Sequence, residues 1–493
     1  MSICCICWLS GQYASEDPRV LRFLREKRWF FAAMAVALVM LLSPLPAGLG
    51  REGMIVLAMT VASTIMFITE PVPLPTVALL IVAGQVLLLG HGSSSVAKSM
   101  MNDSVLFIMG SLMLAVAMVK QRLDKRLALF IVSLTGTRTV RVAMGISLVS
   151  GLLASLIGEH TVAAMMLPIA VSLIQLSEED GREQRNLAVL LLFSISFACS
   201  LAGVGTPSGG ARNAIMIGYW RSFFYDVSDP TTAKYLIDYP RWMAFAYPML
   251  LIQLPVLSIL LYKTFKPEKL DLAVAVRKLK EQVEKEGPLT PGHWATIALF
   301  ILVLVSWIFF SGKLGMGTIA ITGAAAFLVA GLVRWNDINS GVNWGVVLLY
   351  GAAISLGVQM EQSGAAGWLA ENFLALLRPL GADKGLGLWL AVALLTTLIT
   401  NTMSNGAAVA VLGPIVLKLA QSSGSSPITI GFITAISSAF AYFTVVGTPA
   451  STIVHSSGYL RPSDFFKIGW KICIVSILTL LVLAGLYWPL LGV

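Results

Sequence analysis

Two charged side chains stand inside otherwise apolar runs. Glu159 lies in Gly158-Glu159-His160-Thr161, and Arg212 follows the glycine-rich stretch Gly203-Val204-Gly205-Thr206-Pro207-Ser208-Gly209-Gly210. Two further interruptions carry small polar residues, Thr400-Asn401-Thr402-Met403-Ser404-Asn405-Gly406 and Val446-Gly447-Thr448-Pro449. Covalent chemistry is not what these residue types suggest. The Glu159 and His160 pair has no partner nucleophile in a motif context, and the chain lacks the Gly-x-x-x-x-Gly-Lys-Ser/Thr pattern that cradles a nucleotide phosphate. His160 has no second His, Cys or carboxylate at ligand spacing, which argues against a transition-metal site. What the four interruptions can do is hold ions. Exposed N–H groups at the start of a half-helix carry about half a positive charge and favour an anion. Freed carbonyls, hydroxyls and amide oxygens favour a cation such as sodium. The anion-holding candidates are Glu159, His160, Thr161, Thr206, Pro207, Arg212, Ser404, Asn405, Gly406, Thr448 and Pro449; the sodium-holding candidates are Thr400, Asn405, Gly205 and Val446.

Either charge alone near a bilayer centre would cost several kcal/mol, and a mutual ion pair lowers that cost. One reading pairs Glu159 with Arg212 across the two interruptions, in place of a bound cation. A second has Arg212 grip the anion while Glu159 or His160 takes up a coupling proton. The plain alternative is that Arg212 snorkels to an exterior interface.

The elements that must position these residues lie in a membrane. The 493 residues are 57% hydrophobic and 12% charged, with a mean hydropathy of +0.83, where a soluble domain carries about 25% charged residues. Apolar stretches recur from Phe30 to the C-terminus, and a helix needs about 20 such residues to cross the hydrocarbon core. The stretches are continuously apolar rather than alternating, which excludes a β-barrel. The fold class is therefore an all-α polytopic membrane protein. The net charge of +9 sits in short loops, at Arg19 to Arg28, Lys120 to Arg141 and Lys263 to Lys285. The positive-inside rule reads these loops, and the N-terminus, as cytoplasmic, in the cell (inner) membrane. The charge thus reports orientation in lipid rather than nucleic-acid binding. Cys4, Cys5 and Cys7 form no disulfide or zinc spacing, and the first apolar run has no cleavage site, so it is retained as a span.

Around each interruption the flanking apolar segments are too short to span comfortably. The predicted solution is a broken hairpin that enters and leaves on one side, because irregular or charged backbone at membrane depth survives only where it lines a cavity. Such hairpins are predicted over 139–177 and 384–421. The segment 122–134 alternates charge and apolarity as an interfacial connector does. The second half echoes the first at an offset of about 240 residues: Phe107-Ile108-Met109-Gly110 with Leu348-Leu349-Tyr350-Gly351, the break before Pro168 with the break before Pro414, and Val-Gly-Thr-Pro with Val-Gly-Thr-Pro. This divides the chain into a cytoplasmic segment 1–28, a first span plus first repeat 29–262, a cytoplasmic linker 263–291 and a second repeat 292–493. Counting spans gives the repeats opposite orientation, an arrangement common in secondary transporters.

The arrangement resembles the divalent anion:sodium symporter family, whose members carry dicarboxylates, citrate or sulfate. The resemblance rests on Ala163-Ala164-Met165-Met166-Leu167-Pro168, on Ser404-Asn405-Gly406 followed by Pro414, on both Val-Gly-Thr-Pro loops and on Ser457-Gly458-Tyr459-Leu460-Arg461-Pro462. It implies about eleven spans with two re-entrant hairpins and a homodimer in which a transport domain slides against a scaffold. It also implies sodium-coupled movement of a small anion, most simply a di- or tricarboxylate, with no other cofactor. Sulfate or another oxyanion, and a proton in place of sodium, are the alternatives, and an anion channel is the rival of another class. Where the family places Ser-Asn-Thr at each hairpin tip, this chain has Gly158-Glu159-His160 and Ser404-Asn405-Gly406. Ala154 precedes the first tip where Thr400 precedes the second, so the resemblance supports the second sodium site better than the first.

Overall fold

A computed structural model of the protein describes residues 23, 25–121, 135–177, 184–284, 288–445 and 447–492. Among these residues the chain is helical, and β pairing is confined to one bridge between Arg138 and Asp271. The first half contains α1 (Arg28–Leu42), α2 (Arg51–Thr69), α3 (Leu74–Leu87), α4 (Ser93–Met100), α5 (Asp103–Lys120), α6 (Thr139–Ile157), α7 (Glu159–Gln175), α8 (Arg185–Ala202), α9 (Ala211–Phe224) and α10 (Tyr239–Thr264). The polar helix α11 (Ala273–Glu284) follows. The second half contains α12 (Pro291–Leu314), α13 (Met316–Val329), α14 (Trp335–Gly341), α15 (Trp344–Gln362), α16 (Ala365–Leu377), α17 (Gly385–Thr400), α18 (Asn405–Ser423), α19 (Pro427–Ser437), α20 (Pro449–His455) and α21 (Pro462–Val482). Nine of the described helices are long and apolar enough to cross a membrane. The interfacial connector read at 122–134 and the charged loop at 178–183 lie outside the described residues.

Burial sorts the helices into a centre and a periphery. In α8 every residue from Leu187 to Ala202 is buried, whereas α12 leaves Ile301, Leu302, Phe309 and Phe310 exposed, a surface suited to lipid. The centre is built twice. In the first half α8 packs on α6 and α7, and in the second α19 packs on α17 and α18. The helices beyond the glycine-rich breaks then change sides: α9 packs on α18 of the second half, and α20 packs on α7 of the first. The α9 contact is close because Gly357 and Gly413 leave room for the Tyr219 ring, which a Cβ at either position would overlap. The Tyr219 hydroxyl donates to the Ala410 carbonyl of α18 at 2.7 Å.

Polar contacts gather at the helix ends. The Glu268 carboxylate accepts from the backbone N–H groups of Asn186 and Leu187 at 2.9 and 3.0 Å, capping α8 from outside its own segment. Beside it, Arg185 donates to both carboxylate oxygens of Asp464 at 2.9 Å, which ties the start of α8 to that of α21. Lys120 at the end of α5 donates to Asp337 of α14 at 2.7 Å. That hydrogen bond, followed by one from the Arg334 backbone, holds the Asp337 carboxyl below its ordinary range.

Candidate functional site

The first break turns on Gly158, which ends α6 and begins α7 with φ +93°, a conformation open to glycine and strained for other residues. It makes Glu159 the first residue of α7, where the dipole favours a negative charge. The second tip closes differently. A turn at 401–404 leads to Ser404, whose hydroxyl caps α18 by accepting from the Ala407 N–H at 3.4 Å. Asn405 is then the first residue of α18, in the place Glu159 holds in α7.

Glu159 Oε1 joins the two halves. It accepts from Arg212 Nη1 at 3.2 Å and from Asn405 Nδ2 at 3.3 Å. Arg212, on the first turn of α9, is 1% exposed, and its Nη2 donates to the Ser200 carbonyl at 3.0 Å. The ion pair read from the sequence is thus formed. Around it, carbonyls at the end of α6 and in the glycine-rich loop accept from protein donors. The Thr206 hydroxyl donates to the Ser155 carbonyl. Ser208 reaches Leu156 O at 2.9 Å, and Asn213 Nδ2 reaches Gly203 O and Thr206 O at 2.8 and 2.7 Å. A chain of hydroxyls runs on between the halves, from Ser200 to Thr448 at 3.1 Å, Thr448 to Ser451 at 2.9 Å and Ser451 to Ser196 at 2.9 Å.

The second break gathers oxygens instead. Thr400 Oγ1 lies 2.9 Å from Asn405 Oδ1 and 2.7 Å from the Ser438 carbonyl, so a single hydroxyl proton serves two acceptors. Three oxygens crowded in a buried place match the donor set of a hard monovalent cation. Thr400, Asn405 and Ser438 would hold sodium there, where the ion would draw the three oxygen dipoles together and fix the tip against α19. Val446 lies outside the described residues, and Gly205 lies in the glycine-rich loop, packed against Tyr247 and Leu250.

A cavity of about 240 Å³ opens beside the Glu159 contact. Glu159, His160, Pro207 and Pro449 border it, with Ser208, Asn343 and Tyr350. A second cavity of about 550 Å³ shares His160 and Asn343 with it and reaches Lys120 and Asp337, with Thr161 on its wall. Of the other sequence candidates, Thr206, Arg212, Asn405, Gly406 and Thr448 are buried behind the lining, and Ser404 is half-buried at the second tip. Arg212 spends its charge on Glu159 and Ser200 O rather than on the cavity wall. Ser208, Asn343 and Tyr350 are lining residues that sequence reasoning missed; of these, Tyr350 also packs on the second tip, where a Cβ at Gly406 would collide with its hydroxyl. The only sequence signal for Tyr350 was its place in the repeated segment Leu348 to Gly351.

A model of the family described as the sodium:sulfate symporter transmembrane region matches residues 25–493. The chain belongs to that family. This makes it a membrane transport protein rather than an enzyme, within a family of sodium-coupled anion symporters. Curated relatives agree. A sodium-dependent high-affinity dicarboxylate transporter of Caenorhabditis elegans is 29% identical over 86% of this chain and 80% of its own. The sodium-dependent dicarboxylate transporter SdcS of Staphylococcus saprophyticus is 25% identical over 91% and 89%. A Haemophilus influenzae transporter is 28% identical over 85% and 86%. Among solved structures, the fold is like that of Neisseria gonorrhoeae MtrF, with a TM-score of 0.54 at 12% identity over 94% of each chain. The Alcanivorax borkumensis YdaH transporter gives 0.52 at 15% identity, covering 80% of this chain and 86% of its own.

Proposed function

We propose that this symporter carries a small di- or tricarboxylate across the cell membrane, driven by sodium, and that the anion seats in the cavity beside the two helix starts. The observation that carries the reading is the meeting of α7 and α18: both present their first residues to one another through Asn405 and Glu159, 3.3 Å apart, at the rim of a cavity bordered by both Gly-Thr-Pro prolines. Helix starts on two sides supply N–H groups for the two ends of a dianion. The oxygens of Thr400, Asn405 and Ser438 supply a cation position next to one of them, so that ion and anion stabilise each other. The dicarboxylate names of the relatives support the substrate class.

The helices that form the two centres, with α9 and α20, act as a transport body that slides against a scaffold, and the scaffold carries the contact of a homodimer. The segment 29–262 is a first span followed by the first inverted repeat, with its re-entrant hairpin at 139–177; 292–493 is the second inverted repeat, with its hairpin at 384–421; and the N-terminal segment 1–28 and linker 263–291 are cytoplasmic. The sulfate symport in the family's description favours one second reading, a small oxyanion in the same cavity.

The test is uptake by proteoliposomes of labelled succinate, citrate and sulfate, under sodium and proton gradients imposed separately. Saturable, trans-stimulated uptake of a carboxylate that follows the sodium gradient is expected. Sulfate uptake alone selects the second reading, and single-channel current in place of saturation overturns both.

A further inference from the structure

We infer that the Arg212 guanidinium is a built-in cation that fills the first of the two cation positions, leaving the protein with a single sodium, held at Thr400. The inference rests on the proposed sodium coupling and deepens it.

The two breaks allow a residue-by-residue comparison. Glu159 opens α7 as Asn405 opens α18, and Ala154 stands before the first tip where Thr400 stands before the second. The hydroxyl that draws three oxygens together in the second break therefore has no counterpart in the first. Counted from the two Thr-Pro pairs, Arg212 occupies the place of Val454, a fully buried apolar residue. The first break thus loses an oxygen ligand and gains two charges of opposite sign.

The new charges stand where an ion would. The guanidinium collects Glu159 Oε1 at 3.2 Å and the Ser200 carbonyl at 3.0 Å, while the Ser155 and Leu156 carbonyls at the end of α6 and the Gly203 carbonyl of the glycine-rich loop already accept from Thr206, Ser208 and Asn213. A hydroxyl can turn its oxygen toward an arriving ion. Arginine has donors only and stays charged in proteins, so it can neither ligate sodium nor vacate its charge. Adding a sodium ion here would bring two positive charges together in a buried place. The residues at this position do not fit a metal ion, whereas those at Thr400 do.

The experiment counts sodium. On the purified full-length protein, equilibrium binding of radioactive sodium and the sodium dependence of the unfolding temperature are measured together, without substrate transport as the readout. Wild type is expected to bind one ion per chain with a Hill coefficient of one, and Thr400→Val to bind none. Arg212→Gln leaves Glu159 and Ser200 O facing an emptied position, and this variant is expected to bind two. Two ions in wild type, an ion retained in Thr400→Val, or one ion in a folded Arg212→Gln would each overturn the inference. Absence of any sodium binding in wild type would overturn the sodium coupling itself, and the inference with it. The wild-type count stands even if a variant fails to fold.

Discussion

Glu159 and Arg212 stand 3.2 Å apart, one 7% and the other 1% exposed. Breaking such a pair from one side leaves an uncompensated buried charge and costs about 3–5 kcal/mol, whereas removing both partners costs far less. In sodium-free buffer, Glu159→Gln and Arg212→Met are each expected to lower stability by that amount, and the double variant by less than either. Chemical unfolding in detergent gives the cycle, and losses that add to within about 0.5 kcal/mol would show the pair to be uncoupled. The pair is one of the readings the sequence offers, because a charge in an apolar run is stabilised by a partner of opposite sign, and the structure selects it over the snorkelling of Arg212. Tyr350 cannot be found in the same way. An aromatic residue in an apolar helix looks the same in sequence whether it meets lipid, core or a cavity, and only the approach of α15 to the second tip decides between them.

At the scale of elements, the breaks were readable and the short helices were not. Glycine and proline punctuate long apolar runs, so Gly158 and the Gly-Thr-Pro loops mark where helices stop. The helices Ser93–Met100, Trp335–Gly341 and Pro449–His455 complete too few turns for a periodic pattern, and the structure adds them. The final span starts at Pro462 and continues beyond α21 through a π-helical turn at Leu483–Tyr487 into a 3-10 turn at Trp488–Leu491. Between α6 and α7 the whole reversal rests on one residue with φ +93°. Gly158→Ala forces a side chain into that conformation at a cost of about 1–3 kcal/mol. It is expected to lower the unfolding temperature by several degrees and to reduce transport more than expression, because Glu159 is the next residue. An unchanged melting curve together with wild-type uptake would show that the turn tolerates a side chain.

For the molecule as a whole, the sequence revealed two halves that echo one another, but not how they interlock. Three correspondences at one offset say that a unit occurs twice; which helix crosses to the other half depends on faces that periodicity leaves undetermined in helices apolar all round. The proposed sliding makes a prediction at this scale. Leu112 of α5 and Ile453 of α20 both border the larger cavity, and the proposal assigns the first to the scaffold and the second to the moving body. A cysteine pair at these positions, bridged by mercury, is expected to abolish uptake and to recover it on reduction. Full-rate transport by completely bridged protein would rule out their relative movement.

The crossing of α9 onto α18 and of α20 onto α7 also bears on biogenesis. A ribosome that has delivered only the amino-terminal portion has made a helix whose seat does not yet exist, so membrane insertion must precede tertiary closure by the whole time needed to synthesise the remainder. Each portion acts as the other's assembly partner. A gene cut between them would yield two fragments inert alone, yet able to regain activity when produced together in one cell.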